Sequence, residues 1–306
     1  MLSILAGMAG IIGLGAIWRL LLGGKTAENV RGHLARAVYE IFLPALVLHV
    51  MWKTTVGINV LRVPVVAAIG ILVSLLTAGL IYGEGRLGGK KAAGAMLLAA
   101  GFGNFTYLGL PILTQAFGPW AQSVAIPYDL FASTPLLFTV GILIARHYGS
   151  PGRNPLHPGI ELLRVPAVWA AVAGLIASHL GLPRPAWLDG TLTVLGAAVI
   201  PLMLLSIGMA MRWQAGWAAR IPVLLPALVI QLGFMPLVAW GASIGVGMPE
   251  KYLAPVILEG AMPSMVLGLV VCDRFRLDSS LYAEAVTVST AISLVTLPLW
   301  LRLVGG

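Results

Sequence analysis

The sequence predicts an all-α polytopic membrane protein of ten transmembrane helices, laid out as two inverted five-helix repeats whose fourth and ninth helices are broken and cross. Three observations carry that prediction. Of the 306 residues, 59% are hydrophobic and 10% charged, against about 25% charged in a soluble domain, and mean hydropathy is +0.95. At about 20 residues per crossing the chain has room for about ten spans and no separate soluble domain. Second, the two halves share features in order. Arg62-Val63-Pro64-Val65 recurs as Arg220-Ile221-Pro222-Val223 at an offset of 158, Pro44 as Pro201 at 157, Ser133-Thr134 as Ser289-Thr290 at 156, and Gly103-Asn104 as Pro263-Ser264 at 160. An odd number of spans in each unit inverts the second copy. Third, the net charge of +8 comes from Lys and Arg in short loops rather than on one face, so it reads as a topology signal and not as a nucleic-acid surface.

The first span, Met1 to about Leu22, meets no basic residue before Arg19, unlike a cleavable signal peptide. Its glycines at 7, 10, 13 and 15 suit close helix packing. A basic loop follows. Span two, about Leu34 to Trp52, holds Leu43-Pro44-Ala45-Leu46, where Pro44 should kink it, and His49 and Lys53 reach for the interface near its end. Spans three (about Val63 to Tyr82), four (Ala92 to Phe117) and five (Val124 to Ala145) complete a first repeat, 1–146. A Pro-, Gly- and His-rich cytoplasmic linker occupies 147–160. The second repeat, 161–306, has spans at about Leu162 to Leu180, Leu188 to Met211, Ile221 to Val246, Tyr252 to Cys272 and Leu281 to Val304. Fourteen of the 19 Lys and Arg fall on one side, which places both termini outside the cell membrane. Cys272, the only cysteine, excludes an intrachain disulfide and a Cys-based zinc site.

The break in span four is Gly101-Phe-Gly-Asn-Phe-Thr-Tyr-Leu-Gly-Leu-Pro111. Gly costs a helix about 1 kcal/mol and Pro about 3, and a freed backbone group in hydrocarbon costs several more. Such a stretch persists only inside protein or beside water. Asn104 brings a donor and an acceptor to the break, and the half-helix after it turns its positive end inward, where an anion could sit. Span nine supplies a partner, Leu258-Glu-Gly-Ala-Met-Pro-Ser264, in which Pro263 removes a donor and frees a carbonyl near residue 259. Gly103, Asn104, Thr106, Pro263 and Ser264 are therefore the candidate substrate-binding residues. No nucleophile has a base beside it, so no catalytic residue, metal site or cofactor is expected.

Four ionisable residues fall within or near spans: Asp129, His179, Glu259 and Glu284. Glu259 is the first candidate for coupling, because a carboxyl beside an opened helix is costly to ionise and can carry a proton. Asp129 and Glu284 are coupling candidates or helix-start caps. His179 belongs at the interface. Two tempting matches fail: Gly24-Lys25-Thr26 lacks the first glycine and the strand of a P-loop, and the sequon at Asn104 would lie at mid-membrane.

The chain resembles the auxin efflux carrier family, which includes the plant PIN-formed proteins and bacterial carriers associated with malate or malonate. The resemblance rests on Gly103-Asn104, Leu108-Gly109-Leu110-Pro111-Ile112-Leu113, Glu259-Gly260-Ala261-Met262-Pro263, Val288-Ser289-Thr290 and Thr296-Leu297-Pro298-Leu299, with Leu43-Pro44-Ala45-Leu46. It implies a fold similar to sodium/proton antiporters and bile-acid symporters. Spans 1, 2, 6 and 7 would form a scaffold and homodimer interface, and spans 3–5 and 8–10 a mobile transport domain with Asn104 and Pro263 at the crossover. Plant members differ in having proline at Gly103, commonly glutamine at Glu259, and a long central loop. The expected function is elevator-type alternating-access transport of a small organic anion, a carboxylate such as malate, malonate or an auxin-like acid, across the plasma or inner membrane. The alternatives are an H⁺- or Na⁺-coupled carrier of the same fold and, from another class, a ligand-binding membrane sensor. No enzyme and no nucleic-acid partner is expected.

Overall fold

A computed structural model describes residues 2–54, 58–150, 160–211 and 217–305. Among them the chain consists of helices joined by short loops, with one isolated bridge, Gly103 to Ser264, as its extended pairing. In order the helices are α1 (Leu2–Leu22), α2 (Gly24–Lys53), α3 (Ile58–Tyr82), the interrupted α4 (Lys90–Gly101, then 105–117), α5 (Pro119–Tyr148), α6 (Ile160–Leu163 and Pro166–His179), α7 (Ala186–Ala210), α8 (Ile221–Gly245), the interrupted α9 (Glu250–Gly260, then Gly268–Arg274) and α10 (Ser279–Val304). Six of these, α2, α3, α5, α7, α8 and α10, are long and apolar enough to cross a bilayer unbroken. Most of the expected linker 147–160 lies outside the described residues, as does Met1. Where the linker begins, the Ser150 N–H bonds the Phe275 carbonyl at 2.8 Å.

The basic loop expected after span one is instead helix. Gly24–Ala37 runs without interruption into the apolar part of α2. Eight of its fourteen residues are Ala, Leu, Glu, Lys or Arg, the strong helix formers, and Glu28 pairs with Arg31 one turn on. Charge alone could not separate a polar helix from a loop.

Proline shapes four helices in the same way. A widened, π-helical turn lies just before Pro44 (Val38–Phe42), Pro111 (Phe105–Gly109), Pro135 (Asp129–Ser133) and Pro236 (Ile230–Phe234). A proline ring collides with the carbonyl four residues back, and each of those carbonyls, of Glu40, Tyr107, Phe131 and Leu232, belongs to the widened turn. Extending the hydrogen bond by one residue relieves the clash. Where a carbonyl is freed, a side chain takes it: Trp300 Nε1 donates to Leu232 O at 2.8 Å. Beside Pro226, the Tyr82 hydroxyl donates to Val223 O at 2.6 Å and accepts from Ala227 N at 2.9 Å, standing between the two members of one helical pair.

Two sets of helices pack mainly among themselves. α1, α2, α6 and α7 form one, and α3, α4, α5, α8, α9 and α10 the other. Within the first set α1 and α7 touch backbone to backbone: a Cβ on Gly15 would overlap the Leu205 carbonyl, and one on Gly208 the Ile12 carbonyl. The α1 glycine that matters for this contact is Gly15. A Cβ on Gly7, Gly10 or Gly13 would meet nothing.

Candidate functional site

The two interruptions meet. α4 leaves its helix at Phe102 and α9 at Ala261, and the extended pieces run antiparallel for one bridge. Asn104 N donates to Pro263 O at 2.7 Å and Met265 N to Phe102 O at 3.0 Å. Ser264 Oγ donates to Ala99 O at 2.7 Å, and Ser264 N to Ser289 Oγ at 3.2 Å. Gln231 Nε2, from the widened turn of α8, donates to Met262 O at 2.9 Å. Each break thus supplies what the other lacks, which is how two open helices persist in an apolar interior. A Cβ on Gly103 would fall 2.5 Å from the Phe105 ring and 2.9 Å from Gln231 Nε2, so a larger residue there would have to displace those side chains.

A cavity of about 70 Å³ opens on this crossing. Asn104, Thr106, Asp129 and Thr134 supply its polar wall, and Tyr39, Phe105, Tyr107 and Phe138 its aromatic one. Asn104 accepts from Leu108 N and Gly109 N through its backbone carbonyl, while its side-chain Nδ2 is buried with no hydrogen-bond partner. An unused buried donor costs about 1–3 kcal/mol, which an acceptor on a bound solute would recover. Asp129 accepts from the Thr106 hydroxyl and, at 3.1 Å, from that of Thr134.

Of the expected binding residues, Asn104 and Thr106 line the cavity. Gly103, Pro263 and Ser264 build the crossing behind it, with the Ser264 hydroxyl engaged by Ala99. The expected coupling residues separate too. Asp129 faces the cavity. Glu259 is 0% exposed, has no partner for either carboxyl oxygen, and lies against Gly109 so closely that a Cβ there would overlap it. Tyr128 has a buried hydroxyl that is also unpartnered. Glu284 joins neither, its Oε1 being 3.5 Å from Arg220 Nη1, and the cap of α10 is Asp278, which accepts from Leu281 N at 2.9 Å. His179 is exposed at the end of α6. His49 and Lys53 instead gather with Arg184 on one oxygen of Asp189, at 3.3, 3.5 and 3.4 Å, which ties the end of α2 to the start of α7.

Sequence reasoning missed Gln231 and Tyr282. The Tyr282 hydroxyl donates to Met265 O at 2.8 Å and occupies the space that Gly268 leaves open. A lone Gln in the apolar run 221–245 was the available signal for the first. The second had none, because tyrosine is ordinary in a helix.

Long apolar helices, two interrupted helices that complete each other, and a polar cavity at their meeting point define a multi-pass membrane transport protein. Known proteins agree. The sequence profile of a family described as membrane transport protein matches residues 158–301. An uncharacterized transporter of Methanothermobacter thermautotrophicus is 30% identical, across 94% of this chain and 93% of its own length. Uncharacterized transporter MJ1031 of Methanocaldococcus jannaschii and uncharacterized transporter YfdV of Escherichia coli are 24% and 22% identical, each match covering 68% of this chain and 67% of the relative. The chain belongs to this membrane transport family, the auxin efflux carriers whose motifs it bears.

Proposed function

We propose that this protein is a secondary transporter of a small organic anion, a carboxylate in the class of malate, malonate or an auxin-like acid. It would work by alternating access about the cavity beside the crossing. The observation that carries the reading is Asn104, which lines a cavity at the meeting of two opened helices and whose buried Nδ2 has no hydrogen-bond partner. The half-helix that begins at Phe105 adds first-turn N–H groups with no intrahelical partner, which favour an anion.

The wider architecture follows from the same reading. The two interrupted helices are equivalent members of inverted five-helix repeats in a ten-span bundle similar to sodium/proton antiporters and bile-acid symporters. The set α1, α2, α6 and α7 is the scaffold and carries a homodimer interface; the other set is the transport domain and moves as an elevator. The separate packing of the two sets supports this division. The protein sits in the plasma or inner membrane with both termini outside. Native mass measurement in mild detergent should give a dimer; only monomer at micromolar protein counts against the interface.

A specific observation favours coupling to H⁺ or Na⁺. Among the described residues lining the cavity, Asp129 is the charged group and none is cationic, so an anion entering beside an ionised Asp129 meets a like charge at low dielectric. A proton or a cation has to accompany it. Purified protein in liposomes loaded with malate or malonate should exchange the labelled acid, and an imposed pH or Na⁺ gradient should identify the coupling ion. Lack of uptake or exchange for a panel of mono- and dicarboxylates rejects the anion reading and returns the protein to the class of membrane sensors.

A further inference from the structure

The charged group that lines the cavity at the crossing is Asp129, and nothing cationic among the described lining residues offsets it. A larger cavity, of about 430 Å³, shares Tyr107, Val266 and Leu267 with the first, and its cation is already engaged: Arg31 donates from Nε, at 3.1 Å, and from Nη2 to Glu28 Oε1. Asp129 acts as an acceptor in both of its hydroxyl contacts. One of its oxygens takes the Thr106 hydroxyl and the other, at 3.1 Å, that of Thr134. A carboxylate offers about four acceptor sites, so room for a further donor remains. An ionised acid without a counter-charge is unfavourable in an apolar interior, and the donor that answers it best is itself a cation.

The rest of the lining fits such a donor. Tyr39, Phe105, Tyr107 and Phe138 belong to the same cavity, and aromatic rings accept an ammonium on the ring face as well as apolar groups. A place for an anion lies close by. Asn104 also lines the cavity, is 5% exposed, and has a buried Nδ2 without a hydrogen-bond partner. Thr106, which bonds Asp129, is two residues from Asn104, at most about 7 Å along the backbone. A residue with a spare donor and one with spare acceptors thus line one space of about 70 Å³. The polar head of a small solute fits there, and its side chain meets the neck of Tyr107, Val266 and Leu267 that leads to the larger cavity.

We propose that the solute is a zwitterion, an α-amino acid with a small apolar side chain. Its ammonium group takes Asp129, and its carboxylate takes Asn104 and the first turn of the half-helix that follows. The cation that has to accompany the anion is then part of the solute. The proposal rests on the reading of this cavity as the transport site and narrows its substrate class.

Titration calorimetry on the purified protein tests it with two matched pairs, alanine against propionate and leucine against isocaproate. Isoamylamine, which is leucine without its carboxylate, completes the set. Each amino acid should bind about ten-fold or more tightly than its deaminated partner, and isoamylamine about ten-fold or more weakly than leucine. Asp129→Asn should weaken leucine binding about ten-fold and strengthen that of isocaproate, because it takes a partner from one ligand and a like charge from the other. Opposite signs in one variant exclude a folding defect as their cause, and the wild-type pairs decide even if the variant does not fold. Propionate and isocaproate binding as tightly as their amino acids overturns the zwitterion and leaves the simple-anion reading standing. Isoamylamine binding as tightly as leucine overturns both, since the carboxylate then contributes nothing. If neither amino acid binds the wild-type protein the zwitterion falls, and malonate binding to the same preparation decides the anion reading separately.

Discussion

At the residue scale, neighbouring polar groups at the crossing do different work. The Ser264 hydroxyl closes a break, and the Asn104 amide is left over. Ser264→Ala should therefore lower thermal stability, by about 1–3 kcal/mol for the orphaned Ala99 carbonyl, with little change in the affinity of the solute that remains bound. Asn104→Ala should do the reverse. Thermal unfolding and binding measured on both variants decide this, and equal loss of affinity in the two returns Ser264 to the site.

The acids separate in the same way. Asp129 shares the cavity with the solute, whereas Glu259 is packed against Gly109. An anion binds more readily when the facing carboxyl is protonated, so affinity should fall as pH rises. Asp129→Asn should flatten that profile and Glu259→Gln should alter it less. A wild-type profile in Asp129→Asn, with a flat one in Glu259→Gln, moves the proton to Glu259.

At the scale of elements, proline and glycine set up openings that other helices then complete. The widened turn Ile230–Phe234, just before Pro236, belongs to the same helix that sends Gln231 to the Met262 carbonyl. Gln231→Leu keeps the volume but leaves that carbonyl unpaired in an apolar interior. It should cost about 1–3 kcal/mol and raise amide exchange at 261–265, while Gln231→Glu, which keeps a donor when protonated, should recover part of the loss at low pH. Unchanged exchange in the Leu variant would mean that the backbone bridge alone holds the crossing.

At the scale of the whole molecule, the two helix sets meet along surfaces that must slide if transport is elevator-like. Ile12 of α1 and Ile112 of α4 line one small gap between them. Replacing both by Cys and bridging them with a mercuric ion should stop transport, and excess thiol should restore it. Cys272 is buried and should not interfere. Full transport by the bridged protein would rule out sliding along this seam.

Much of this was determined by the sequence alone, because the constraints are local. Hydrocarbon admits only long apolar helices, and their ends fell close to the expected positions from Tyr82 through Val304. Gly101 to Pro111 and Pro263 marked the openings, since no other composition costs a helix so much at mid-span. The class of protein followed from those openings and the motifs around them. What the tertiary structure decided was which polar atom faces which. Asn104 and Ser264 occupy neighbouring positions at matched breaks, and nothing in their types says that one hydroxyl would be spent on Ala99 while one amide stayed unpartnered. Asp129 and Glu259 are both acids in apolar spans, and only packing puts the first in the cavity wall and the second against Gly109. Gln231 acts on the Met262 carbonyl, far along the chain, and such a partnership exists only once the helices are packed.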